Sequence, residues 1–289
     1  MKFFLGLITR CKDEFFIEEF VKYYLSQGVD KIYIVDDNSN NKNIYNFTKK
    51  NKKIIIEYMN DKNTKAHDGK CKKNCSCNRI VSNKIFNKIK NNFKWLIYVD
   101  VDEFITTKKN KKNTIRKELM TTFKNYDCIK IPWVMMSCNN LIKNPKSILK
   151  TNVYRWNHNK KHPHKIKKFR CRYNNIETKC IFIANKFKDI MNDHTPTKYD
   201  DLKYNIVDSI NGKNKYKNDN IFYKELREYD IKNGYFLCYH YRIISRENCL
   251  HKIKVNNWYK INNYTIEDIM SSDYPEIIDD TMKLKSSID

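Results

Sequence analysis

The chain has 289 residues and a formal charge of +24, with 57 Lys and Arg against 33 Asp and Glu. Hydrophobic residues make up 40% of it and aromatic residues 13%, which supplies a core and excludes wholesale disorder. No apolar run reaches the roughly 18 residues of a membrane span, and no arginine-rich arm, zinc-finger spacing or aromatic-basic RNA motif is present.

Phe3 to Ile8 reads as a first core strand; it lacks the small-residue cleavage site of a signal peptide, so a cytoplasmic location is expected. Thr9 to Glu14 is a polar loop. From Phe15 to Gln27 the residues Phe16, Phe20, Tyr23 and Tyr24 recur at helical spacing, with Asp13 and Glu14 at the start and Gly28 at the end. Lys31 to Val35 reads as a second strand closed by Asp36-Asp37-Asn38-Ser39. Strand, helix and strand in this order favour a parallel sheet with right-handed crossovers. Asn43 to Asn51 is expected to be helical, Lys53 to Tyr58 a third strand, and Arg79 to Ile89 a helix.

The next stretch organises the rest. Trp95-Leu96-Ile97-Tyr98-Val99 reads as a strand buried on both faces, and it stops at Asp100-Val101-Asp102-Glu103. Ionised carboxylates are costly to bury unless paired or metal-bound, so this strand should end at an opening. Side chains two apart on an extended backbone point the same way, so Asp100 and Asp102 could share one hard divalent cation; an acidic surface turn is the plainer alternative. With polar clusters after each strand, an open α/β sheet gathers Arg10, Asp37 and Asp102 at one rim, where such sheets bind ligands.

The second half is less regular. Ile115 to Phe123 is expected to be helical, and Cys128 to Trp133 and Thr178 to Ile183 to be strands. Ser137 to Lys168 and Tyr204 to Lys217 read as loops. Phe236 to Tyr239 is a short strand ending in His240-Tyr241-Arg242, and Arg246 to Trp258 a helix. Ten cysteines in a non-secreted chain are expected to be thiols. His67, Cys71, Cys75 and Cys77 are the residue types of a zinc site at a non-standard spacing, with free thiols the alternative. His158, His162 and His164 lie among lysines, a solvated loop or a contact to an anionic acceptor. A basic field favours anionic partners, but the lysines fall in scattered short groups such as Lys49-Lys50 and Lys160-Lys161, so nucleic acid is possible and not favoured.

These pieces resemble, in order, the GT-A glycosyltransferases of the family 2-like and family 92 group. The resemblance rests on Arg10-Cys11-Lys12-Asp13-Glu14 with Glu19-Phe20 and Tyr23-Tyr24, on Gly28 to Ser39, on the Trp95 to Phe104 strand with its D-x-D-E-F, and on Ile131-Pro132-Trp133, Asp193-His194-Thr195-Pro196 and His240-Tyr241-Arg242. It covers about Phe3 to Lys252. Where the group continues His-Tyr with a Lys-Ser pair, this chain has Ile244-Ser245, leaving Arg242 or Arg246 as the basic phosphate contact.

The resemblance implies an α/β, GT-A-like, mostly parallel sheet flanked by helices with an irregular, loop-rich acceptor half. Residues 1–135 would be the sugar-nucleotide-binding half, 136–260 the acceptor-binding half, and 261–289 a tail of no assigned role. It implies an inverting transfer of a hexose from a UDP-sugar to a glycan or protein acceptor. Asp100, Asp102 and His240 would hold Mn²⁺ or Mg²⁺. Arg10, Glu14, Asp36, Asp37, Asp100 and Arg242 would bind the donor, and Asp193 and His194 would serve near the catalytic base. Plainer readings stand beside these: a turn for Asp36 and Asp37, a surface ion pair for Arg10 and Glu14, an interior histidine for His240, and a turn histidine for His194. A GT-A-like scaffold without turnover, holding nucleic acid or acidic glycans on its basic surface, is the alternative function.

Overall fold

The computed structural model describes residues 2–59, 77–160, 174–210, 212 and 222–286. The first half runs β1 (Phe3–Cys11), α1 (Ile17–Ser26), β2 (Lys31–Asp36), a 3₁₀ turn (Lys42–Thr48), β3 (Ile54–Tyr58), α2 (Cys77–Ile89), β4 (Phe93–Tyr98), β5 (Glu103–Thr107), α3 (Ile115–Met120) and β6 (Cys128–Ser137). The second half runs α4 (Ile148–Thr151), β7 (Tyr154–Arg155), β8 (Asn174–Ile183), β9 (Ile206–Asp208), β10 (Phe222–Glu225), α5 (Glu228–Asn233), β11 (Phe236–His240), α6 (Arg246–Val255), α7 (Asn257–Ile261), α8 (Ile266–Met270), β12 (Ile277–Ile278) and α9 (Thr281–Lys285).

The expected α/β architecture is the one observed. β3, β2, β1 and β4 lie side by side and all parallel. β8 joins β4 antiparallel and carries the sheet on to β6, while β11 pairs β6 in parallel and β5 antiparallel. Alternation along the central strands feeds two cores. Leu5, Leu7, Trp95 and Ile97 pack with Phe20 and Tyr24 of α1, and Ile8, Leu96 and Tyr98 pack with Val81, Phe86 and Ile89 of α2. Gly28, at φ +89°, ends α1 in a backbone shape that favours glycine.

Several boundaries differ from the sequence expectation. The stretch after β2 is a 3₁₀ turn rather than an α-helix, and the helix expected from Arg246 to Trp258 is interrupted between α6 and α7. The loops expected over 137–168 and 204–217 contain α4, β7 and β9, each only two to four residues long and therefore without a readable period. His67, Cys71 and Cys75 fall outside the described residues, as do His162 and His164 and the side chain of Cys77. Cys11, Cys128, Cys138, Cys180, Cys238 and Cys249 are free thiols. Among the described residues no helix is long and apolar enough to cross a membrane.

The acidic stretch also departs from expectation. β4 stops at Tyr98, and Asp100 to Glu103 is a turn closed by a Glu103 N–H to Asp100 carbonyl bond of 3.1 Å. The chain reverses there into β5, which pairs with β11 on one side. Its other edge is covered by α1: the Tyr24 hydroxyl accepts from the Ile105 N–H at 2.9 Å and donates to the Glu103 carbonyl at 2.9 Å, and the Tyr23 hydroxyl donates to the Ile105 carbonyl at 2.8 Å. All of these groups are buried, so Tyr24→Phe leaves an N–H and a carbonyl unpaired and is expected to cost about 1–3 kcal/mol. Urea unfolding measures it; a loss under about 0.5 kcal/mol contradicts this role of the helix.

Candidate active site

The site lies where β1 and β4 end. Ile8 of β1 is level with Tyr98 of β4, so two residues further on Arg10 meets Asp100, and its guanidinium donates to Asp100 Oδ1. Lys179, on the neighbouring β8, reaches the other Asp100 oxygen at 3.0 Å. The same ammonium contacts Glu103 Oε2 at 3.1 Å and the Asp193 carbonyl at 3.0 Å. Against the pull of burial, Arg10 and then Lys179 hold the Asp100 carboxyl well below the usual carboxylate range. Burial pushes the Glu103 carboxyl up, with Lys179 opposing it.

Asp102 has a separate set of partners. Lys252 of α6 donates to Asp102 Oδ2 at 2.7 Å and to the Arg242 carbonyl at 3.1 Å. His240, at the end of β11, brings Nε2 to 3.6 Å from Asp102 Oδ1. Here too burial is outweighed, by Lys252 and then His240, and the carboxyl is held low. Burial pulls the His240 imidazole below its ordinary value despite Asp102, so it is neutral at pH 7. Because 100–103 is a turn rather than extended strand, the two aspartates answer to different elements instead of sharing one direction.

Asp193, from the loop after β8, receives Arg10 at 3.1 Å and Arg79 of α2 at 2.5 Å, with the Tyr98 hydroxyl 3.4 Å away. His194 follows, its Nδ1 3.0 Å from the Thr178 carbonyl; that bond puts the proton on Nδ1 and leaves the Nε2 lone pair. Burial and then Lys179 pull His194 below its ordinary value. The Trp133 ring packs near both imidazoles, 5.5 Å from His194 and 4.3 Å from His240. Arg10, Asp100, Asp102, Asp193, His194 and His240 are thus brought to one neighbourhood from four separate parts of the chain.

Other expected donor contacts sit differently. Asp36 is fully buried and accepts from the Tyr45 hydroxyl at 2.8 Å, from the Ser39 N–H at 3.3 Å and from Lys42. It braces the loop after β2; the neighbouring Asp37 is half-buried, and its N–H donates to the Cys11 carbonyl at 2.8 Å. Glu14 lies on the Asp102 side, near Lys252 and Asn248, rather than beside Arg10. Arg242 is half-buried, and Arg246 pairs with Glu267 at 3.5 Å. Beyond the loop after β2 a cleft of about 380 Å³ is lined in part by Asp13, Phe15, Asn41, Ile44 and His251.

The sequence reading missed Lys179, Lys252 and Arg79. A lone lysine inside the run Thr178-Lys179-Cys180-Ile181-Phe182 was a usable signal, because an interior strand lysine needs a buried anion. Lys252 offered none, being one of several basic residues on α6.

Asp100, Asp102 and His240 are the donor types that suit Mn²⁺ or Mg²⁺. Their arrangement does not fit a resident dication: each oxygen of the two carboxylates already faces a cation or an imidazole. Among the described residues no group of three or more His, Cys, Asp and Glu side chains is placed to hold a metal.

No protein-family model matches this chain, and no curated protein matches it. Among solved structures it is similar to S. aureus TarS residues 1–349, at a TM-score of 0.35 and 13% identity over 72% of this chain. The chain spans 61% of the length of that structure. It is likewise similar to TarS 1–349 in complex with UDP-GlcNAc, at a TM-score of 0.34 and 12% identity, covering 91% of this chain and 70% of that one. At such scores the likeness adds no weight to the site.

Burial lifts the Glu14 carboxyl from 4.5 to about 7. Between those values the folded chain holds a proton that the unfolded chain has lost, so folding stability falls as pH rises from about 4.5 to about 7. Glu14→Gln removes that slope. The variant is expected to gain in Tm relative to wild type on going from about pH 5 to about pH 8; an unchanged difference contradicts the assignment.

Proposed function

We propose that this chain is a GT-A-like glycosyltransferase that moves a hexose from a nucleoside diphosphate donor, a UDP-sugar, to a hydroxyl of a glycan or protein acceptor. The observation that carries the reading is the meeting of Arg10, Asp100, Asp102, Asp193, His194 and His240 at the carboxyl ends of the parallel strands. Those are the positions at which the ordered motifs resemble this enzyme group.

The reaction needs two things from the protein. As the bond from the anomeric carbon to phosphate oxygen breaks, negative charge grows on the leaving diphosphate, and preorganised positive charge favours that state. Arg10 and Arg79 supply it at the rim, while Lys179 and Lys252 offset Asp100 and Asp102 from fixed positions. The acceptor hydroxyl must also lose its proton as its oxygen attacks the anomeric carbon from the face opposite the diphosphate, which inverts that centre. Neutral His194 has a lone pair on Nε2 to take the proton. Asp193, held by two arginines, positions Arg10 and the His194 loop. The nucleoside then extends toward Asp37, and Trp133 forms an apolar wall beside the reacting groups.

Incubation with a panel of UDP- and GDP-sugars tests this. Slow hydrolysis of one donor is expected, lowered on the order of 10²-fold in Arg10→Ala. Equal rates in the variant, or no binding of any nucleotide sugar, contradict the reading. In the second case the +24 charge turns attention to nucleic acid or acidic glycans, whose binding collapses steeply with salt.

The pH profile tests His194 separately. Its pKa lies below 6.5, and the base acts only when unprotonated. kcat/KM is therefore expected to be level around pH 7 and to fall as pH drops through that lower value, with the acid limb lost in His194→Gln. A limb that survives the substitution assigns the proton to another group.

A further inference from the structure

The buried ammonium groups at the site are the feature least like a metal-binding pocket. The side chains of Lys179 and Lys252 are only 2% and 7% exposed. Burying an ammonium is costly unless it is well paired, so neither group can leave its partners cheaply. Lys179 donates to Asp100 Oδ2 and the Asp193 carbonyl and pairs with Glu103 Oε2 at 3.1 Å. Lys252 is fixed between Asp102 Oδ2 and the Arg242 carbonyl. A dication that used these carboxylates would bring two further charges against Arg10, Arg79, Lys179 and Lys252, and would have to displace the ammonium groups that now pair them.

The same arrangement suits a diphosphate. Lys179 and Lys252 neutralise Asp100 and Asp102 from within the protein. Arg79, at 44% the most exposed of the four cations, and Arg10 at 15% share Asp193 between them, so that two guanidinium groups meet one further carboxylate at the rim. Asp100, at 35%, is the more open carboxylate, and it remains bound on both oxygens.

We infer that Lys179 and Lys252 take the place of a divalent cation in this site, so that the nucleoside diphosphate binds without metal. This rests on the reading of the site as one for nucleoside diphosphate sugars. Lys179 and Lys252 act as positioning residues: they hold the carboxylates and the charge balance and do not touch the donor.

The test uses the full chain with UDP as probe, by calorimetry, in excess EDTA and again with Mn²⁺. The expected result is the same affinity within about threefold in the two conditions, and no protein-bound Mn²⁺ signal by electron paramagnetic resonance without nucleotide. UDP binding that needs Mn²⁺ overturns the inference and leaves the proposed function standing. No UDP binding in either condition overturns both.

Lys252→Met gives an independent check. It frees Asp102 Oδ2, so binding in EDTA is expected to fall on the order of tenfold or more and to be restored by Mn²⁺, which then has an open carboxylate. Restoration by metal also shows that the variant is folded. Metal-free affinity unchanged in Lys252→Met contradicts the role of that ammonium.

Discussion

Carboxylates set below the surface at the end of a strand must be faced by cations, and that requirement ties this fold together. Asp100 draws Arg10 from β1 and Lys179 from β8. Asp102 draws Lys252 from α6 and sits beside His240 of β11. Each aspartate therefore joins the regular first half to the irregular second half through the site itself. The last segment repeats the device: Asp279 accepts from Lys108 at 3.1 Å, Arg155 at 2.9 Å and the Tyr239 hydroxyl at 2.9 Å. Tyr239 precedes His240, so the C-terminal segment braces the strand that carries the imidazole.

The acidic turn owes its shape to packing on all sides. β5 returns beneath β4 with one edge on β11 and the other on the tyrosine hydroxyls of α1. Glu19 of the same helix accepts from the Ile148 and Leu149 N–H groups at 2.9 and 3.3 Å and so caps α4. One helix thus orders both the turn that bears the aspartates and the first helix of the second half. A site on such supports is stiff, and stiffness is what lets fixed charges favour a transition state over the ground state.

Much of this was legible in the sequence, for physical reasons. Phe3 to Ile8, Lys31 to Val35 and Trp95 to Val99 are long apolar runs bounded by polar clusters, and they are the central strands. The break at Asp100 marked the site because charge cannot continue into a core. What escaped the reading depended on neighbours distant in sequence. Asp100 and Asp102 are two apart, yet the turn sends them to different partners, and tertiary packing of β5 on β11 and α1 sets that turn. Lys252 is indistinguishable in sequence from the lysines beside it. Asp36 belongs to a loop whose own Tyr45 and Lys42 consume it. The second half was hardest, since α4, β7 and β9 are too short to show a period.

The most direct measurement is a crystal structure of the protein with UDP. Density for the diphosphate within hydrogen-bonding reach of the Arg10 guanidinium, with the nucleoside running toward Asp37, is the expected result. UDP ordered elsewhere on the basic surface, with the Arg10, Asp100 and Asp102 contacts undisturbed and unshielded, contradicts a donor site at the carboxyl ends of β1 and β4.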